Sequence, residues 1–261
     1  MLKMLPTVLL ILVMMFGYKL INAGSMSPAV LLLLTGAMLI ILLTMKPKKA
    51  SAAQSNPKAL EDLLGEYGMK AFTDDSKPSQ MFRTAVTDMF SSKPKAALAK
   101  LGKLDPQCRD DAERFAVAVA SGLAFLRQNI PDKAIPEFNK ALLIHPTPEV
   151  AMIAGSCHQR MGQLRKARDS YEFALDLVPN YVEAFSAIAT TWVADRKYET
   201  AIDFAEEALE LDENHASALA TMAICQGLLG NRDLSDEYTD KAVNNGYSRK
   251  KIEDTIKALR K

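Results

Sequence analysis

The amino-acid sequence predicts an all-α protein, an antiparallel helix-pair solenoid preceded by N-terminal transmembrane helices. Three observations predict it. Small residues recur every 33 or 34 positions over the C-terminal half, large apolar residues between them keep helical spacing, and residues 1–45 carry only two formal charges, Lys3 and Lys19. The remaining 216 of the 261 residues are enough to bury a substantial core.

Residues 1–45 are read as a transmembrane hairpin with helices at about 4–20 and 28–45. Pro28–Met45, PAVLLLLTGAMLIILLTM, is eighteen uncharged residues. As a helix it is about 27 Å long, close to the hydrocarbon thickness of about 30 Å. Ser27 and Pro28 suit an N-cap and a first turn, where a missing amide hydrogen costs nothing. The earlier segment, Met4–Leu20, crosses if Lys19 extends its ammonium to the interface. A cleaved signal peptide ending near Ile21-Asn22-Ala23 is the rival reading, and the second apolar segment following almost at once favours the hairpin. Lys46, Lys48 and Lys49 lie directly after the second segment. The positive-inside bias therefore places residue 46 onward in the cytoplasm, at the cell membrane. Cys108, Cys157 and Cys225 stand apart in helical patterns without a CxxC pair, as small core residues in a reducing compartment do.

Residues 46–77 form a juxtamembrane linker, KPKKASAAQSNPK at its start, with a short helix about Leu60, Leu63 and Leu64. Residues 78–114 read as a degenerate helical pair. Phe82, Val86 and Phe90 share one face; Ala97, Leu98, Leu101 and Leu104 share another.

From residue 115 to 247 the pattern becomes periodic. Ala134, Ala167, Ala201 and Ser235 form one column; Ala141, Ala174, Ala208 and Ala242 a second; Gly122, Gly155, Ala189 and Ala223 a third. Phe138 and Tyr171 share a register, as do Leu142, Leu175, Leu209 and Val243. Several columns in phase mark a repeat. Each unit is two antiparallel helices that cannot bury an apolar face alone, so neighbours must stack. Pro146 and Pro179 end successive second helices. Residues 248–261 form a C-terminal capping helix with Ile252, Ile256 and Leu259 on its apolar stripe; a basic membrane-surface helix is the alternative.

With these columns the sequence resembles the tetratricopeptide-repeat family over four units, about 115–147, 148–181, 182–215 and 216–247. The small set is matched by Gly122, Ala134 and Ala141, then by Gly155, Ala167 and Ala174. Phe125, Phe138, Tyr171 and Trp192 match the aromatic set. His158 and Ala205 depart from it, Glu213 replaces the terminal proline, and Gln226, Ser235 and Thr239 weaken the fourth unit. The resemblance implies a groove lined by first helices that takes up a peptide or helix. The places of the chaperone-binding lysine/asparagine clamp hold Val119, Leu123, Met152 and Ser156, so that specificity is not expected.

The rest of the composition is exclusionary. Net charge is +4 over residues 46–110 and −5 over 111–261, with no clustered basic face for nucleic acid. No phosphate loop, dinucleotide glycine pattern or nucleophile elbow occurs, and His145, His158 and His215 are dispersed, so no enzyme, metal or cofactor is expected. Positions between the packing columns should face the groove: Val119, Leu123, Leu126 and Arg127; Met152, Ser156, Gln159 and Arg160; Ser186, Thr190 and Val193. Arg127 and Arg160 recur at the repeat interval and suit carboxylates of a ligand or plain solvation. The expected function is a membrane-anchored cytoplasmic adaptor or scaffold for a protein or peptide partner. The alternative is a structural membrane subunit that self-associates through its repeats.

Overall fold

The computed structural model describes residues 64–260. The two apolar segments at 4–20 and 28–45, with residues 46–63 of the linker, lie outside the described residues. Among the described residues no helix is long and apolar enough to cross a membrane.

The described chain is helical throughout. A helical turn at Leu64–Ala71 precedes five helix pairs: α1 (Lys77–Phe90) with α2 (Pro94–Leu104), α3 (Asp111–Arg127) with α4 (Pro131–Ile144), α5 (Pro148–Arg160) with α6 (Leu164–Leu177), α7 (Val182–Ala194) with α8 (Tyr198–Leu211), and α9 (Ala216–Leu229) with α10 (Arg232–Asn244). A final helix, α11 (Arg249–Leu259), follows. Short connections make the partners antiparallel, and each pair packs on the next in chain order.

Local chemistry sets the helix starts. Ser76 Oγ accepts the Ser79 amide at 3.3 Å, and Asp110 Oδ1 accepts the Glu113 amide at 2.9 Å. Proline is the first residue of α2, α4 and α5, where no amide hydrogen is needed. The ends of the first helices follow one rule. Ser92, Asn129, Gly162, Arg196 and Gly230 all take a left-handed backbone, with φ of 59°, 61°, 71°, 60° and 94°. The amide of the next residue in each case reaches back to the carbonyl five positions earlier, as from Gln163 to His158 at 2.9 Å and Asn231 to Gln226 at 2.9 Å. This Schellman arrangement satisfies the last carbonyls while reversing the chain. It recurs even in α1–α2, where the small-residue columns are not recognisable.

The second helices end differently. His145, Val178 and Asp212 are extended and terminate α4, α6 and α8. Pro146 and Pro179 follow the first two stops, yet α8 stops at the equivalent place without a proline. The prolines alone therefore do not set these ends, and at Val178 and Asp212 a local turn follows, Tyr181 and His215 donating their amides to the Val178 and Asp212 carbonyls at 3.1 and 3.0 Å. Pro136 lies inside α4 and removes one rung of its hydrogen-bond ladder.

The small-residue columns are where helices touch. Ala134, Ala141, Ala167, Ala174, Ala201, Ala208 and Ala242 are fully buried, and Ser235 nearly so. Gly122 lies against the Phe138 ring so closely that an added Cβ would meet it at 2.6 Å. In the third unit the corresponding residues, Ala189 and Ala205, share a cluster with Met222. An alanine thus becomes possible where the opposing ring is lost and a flexible methionine fills the space.

α3 begins at Asp111, four residues before the periodic pattern becomes readable. Glu113 is completely buried there, its Oε1 accepting the Arg109 Nε at 2.8 Å and its Oε2 the Arg109 amide at 2.6 Å. Arg109 also reaches Asp74 at 2.8 Å, tying the start of the chain's described part to α3. At the other end Ile252 of α11 is fully buried in the same cluster as Leu219 and Ala223 of α9, and the Arg260 guanidinium donates to the Gly227 carbonyl at 2.7 Å. The stripe of α11 therefore covers the last repeat.

Candidate functional site

The first helices α5, α7 and α9 present one face, and a cavity of about 410 Å³ opens on it. Met152, Ser156 and Gln159 come from α5, and Glu183, Ser186, Ala187 and Thr190 from α7. His215, Ala216 and Ser217 at the start of α9 close one side, with Tyr247 beyond α10. The helical spacing explains the set: positions three or four apart on a first helix share a face, while the small columns turn inward.

Five of the eleven predicted groove residues, Met152, Ser156, Gln159, Ser186 and Thr190, line this cavity together. Val193 lines a neighbouring cavity with Thr190, Tyr247 and Leu259. The first unit behaves otherwise. Val119 is 1% exposed and belongs to the same buried cluster as Leu64 and Phe72, so it is core and offers no surface. The cause is the preceding turn at Leu64–Ala71, which packs on α3. Leu123 and Leu126 are half-buried against that cluster.

Arg127 and Arg160 are each engaged within the protein. The Arg127 guanidinium lies 5.0 Å from the centre of the Phe90 ring, a cation–π contact between α3 and α1. Arg160 hydrogen-bonds the Asn129 side chain in the turn of the preceding unit. Both link one unit to its neighbour.

A polar chain crosses the groove floor. The buried Tyr171 donates its hydroxyl to Gln159 Oε1 at 2.8 Å, Gln159 Nε2 donates to Thr190 Oγ1 at 3.3 Å, and Thr190 donates to the Ala187 carbonyl at 2.8 Å. Burial pushes the Tyr171 phenol well above its ordinary range, so it remains a donor at neutral pH.

Glu183 contrasts with that satisfied chain. It is 6% exposed, and neither carboxylate oxygen receives a hydrogen bond from another residue. Burial raises its pKa, its own backbone amide opposes this, and Asp212 adds to the rise. Ser186, one turn further along α7 and 3% exposed, has an equally unpartnered hydroxyl. Burial lowers the pKa of His215 against a smaller opposing effect of Asp212, favouring neutral imidazole. Glu183, His215 and Tyr247 also line this cavity, and sequence reasoning did not single them out. Glu183 follows Glu149 at the 34-residue interval, but Glu149 does not line the cavity, so the interval alone does not mark Glu183 as a lining residue.

The described residues thus form a solenoid of stacked antiparallel helix pairs with one face open along its first helices. No family model matches the chain. It is similar to tetratricopeptide repeat protein 14 of Mus musculus, 26% identical over 171 residues, covering 62% of this chain and 21% of that protein. The chain thus spans about a fifth of that relative's length. Among solved structures it resembles a tetratricopeptide repeat protein from Parabacteroides merdae (TM-score 0.59, 18% identity, 64% of this chain and 66% of that one). It also resembles MamA from Desulfovibrio magneticus RS-1 (0.57, 15%, 66% and 97%). A third neighbour is YrrB, described as having an unusual peptide-binding site (0.52, 18%, 74% and 93%). These structural likenesses are of fold.

Proposed function

We propose that the chain is an adaptor or scaffold that takes a protein or peptide partner across the face formed by α5, α7 and α9. The observation that carries this reading is the convergence of Met152, Ser156, Gln159, Ser186 and Thr190 on one open cavity. Exposed and half-exposed side chains at its rim, with a rigid hydrogen-bonded floor, suit recognition of an extended or helical segment. In this reading the N-terminal hairpin holds the solenoid at the cytoplasmic side of the cell membrane and raises the partner's effective concentration there. The partner is bound and no bond is made or broken.

Affinity capture with the full chain tests the groove. Ser156→Arg and Thr190→Arg should each lose the specific partner, whereas Leu143→Arg on α4 should retain it. Capture indifferent to both groove substitutions would reject this assignment. A reporter fused after Lys261 tests the orientation: activity restricted to an extracytoplasmic reporter would overturn the cytoplasmic placement.

Leu143 motivates the second reading, a self-associating structural subunit. It is 88% exposed, with Phe173 and Leu177 on α6 each 37% exposed, an apolar display on second helices that a second copy would cover. Light scattering across a concentration series, repeated with Leu143→Glu, distinguishes this reading. A concentration-independent monomer would exclude it.

A further inference from the structure

We infer that the groove cavity recognises a cationic side chain, lysine or arginine, of the partner polypeptide, with Glu183 as its counter-charge. This rests on the groove being the partner site, and it adds what kind of residue enters it.

The argument begins with charge. Among the described residues Glu183 is the sole Asp, Glu, Lys or Arg in the cavity wall, whose remaining titratable lining groups are His215 and the phenols Tyr171 and Tyr247. No Lys or Arg lines that wall, and burial disfavours the charged form of His215. Asp212 acts electrostatically on both Glu183 and His215, and Glu149 and Glu183 act together on Tyr181. Asp212 adds negative potential to a carboxylate that is already withdrawn from solvent and that is eased within the protein only by its own backbone amide. An anionic or carboxylate-terminated ligand would meet repulsion here.

Satisfaction of polar groups points the same way. Gln159, Tyr171 and Thr190 have found one another, yet the side-chain oxygens of Glu183 and Ser186, at helical positions i and i+3 of the same wall, receive no hydrogen bond from another residue. Buried polar atoms are ordinarily paired. An ammonium or guanidinium has only donors, and would supply what the carboxylate and the Ser186 hydroxyl lack. A divalent ion is a poorer fit, since no group of three or more His, Cys, Asp or Glu able to hold a metal exists among the described residues. The −5 charge of residues 111–261 favours approach of a basic segment.

Selection of a random dodecapeptide phage library on the purified full chain, run in parallel on Glu183→Gln, tests this. Wild-type protein should enrich peptides with Lys or Arg at one fixed position, and Glu183→Gln should lose that enrichment. In a selected synthetic peptide, replacing the basic residue by norleucine should weaken wild-type binding about thirtyfold but Glu183→Gln binding less than threefold. Ser156→Lys, at an exposed rim position, should weaken the same peptide by placing an internal ammonium beside the pocket; this arm stands even if Glu183→Gln folds poorly. Peptides enriched without a basic position, or basic peptides indifferent to both substitutions, would overturn the inference while leaving a groove that binds something else. If no peptide is enriched whose binding Ser156→Arg abolishes, the groove reading fails and the cation site fails with it.

Discussion

The Cβ that Gly155 lacks would lie 2.4 Å from Cε1 of Tyr171, sixteen residues away on the paired helix. Gly122 and Phe138 stand in the same relation one unit earlier. At Ala189 and Ala205 both members have changed together. There Met222 joins the pair, so a third residue fills the space that the aromatic ring fills in the other two units.

Gly155→Ala should overpack this contact and destabilise the solenoid by about 1–3 kcal/mol. Tyr171→Ala alone should cost about 3–5 kcal/mol through its cavity. The double variant should be more stable than the sum of the two losses, and urea unfolding of all four proteins measures the coupling.

The left-handed turn residues predict substitutions of unequal cost. Gly230→Ala should cost about 1 kcal/mol, since a side chain at φ 94° is strained. Arg196→Gly, at φ 60°, should leave the native turn relaxed and cost little or nothing despite the more flexible unfolded chain. Thermal melts of both variants check the pair.

Much of the helix pairing was legible because close packing demands small residues at a fixed interval, and Ala134, Ala167 and Ala201 announce it. The groove was half legible. Met152, Ser156 and Thr190 follow from helical phase, whereas His215 and Tyr247 reach the cavity through the stacking of later units and leave no local pattern. Glu113 and Glu183 were hidden for a common reason: an acidic residue on a helix reads as solvated until tertiary packing buries it. Arg127 and Arg160 show the converse, exposed cations that the fold has given to Phe90 and Asn129.

Glu183 predicts a pH effect. Burial raises its pKa in the folded state, so folding favours the protonated form. The associated stability is present below the ordinary glutamate pKa of about 4.3 and is lost as pH rises through the raised value. Glu183→Gln should therefore stabilise the protein at pH 7 by roughly 1 kcal/mol, with the gain vanishing in acid. Denaturation at several pH values checks the sign, and the same substitution should impair binding of a basic peptide.

The cysteines should be chemically quiet. Burial pushes the Cys157 thiol up to about 11 and the Cys225 thiol up to about 12, and Cys108, half-buried, to about 11. At neutral pH almost no thiolate exists to react. A disulfide reagent should label the folded protein slowly at all three sites and rapidly after unfolding; a fast-reacting thiol in the native state would contradict this.

The most direct test of the central claim is site-specific photo-crosslinking in cells from Ser156, on the groove rim, with Leu143 on α4 as the comparison. The account predicts a discrete partner adduct from position 156, suppressed by Thr190→Arg, and none of that size from position 143. The same adduct from both positions, or from 143 alone, would contradict a partner site on the face of the first helices.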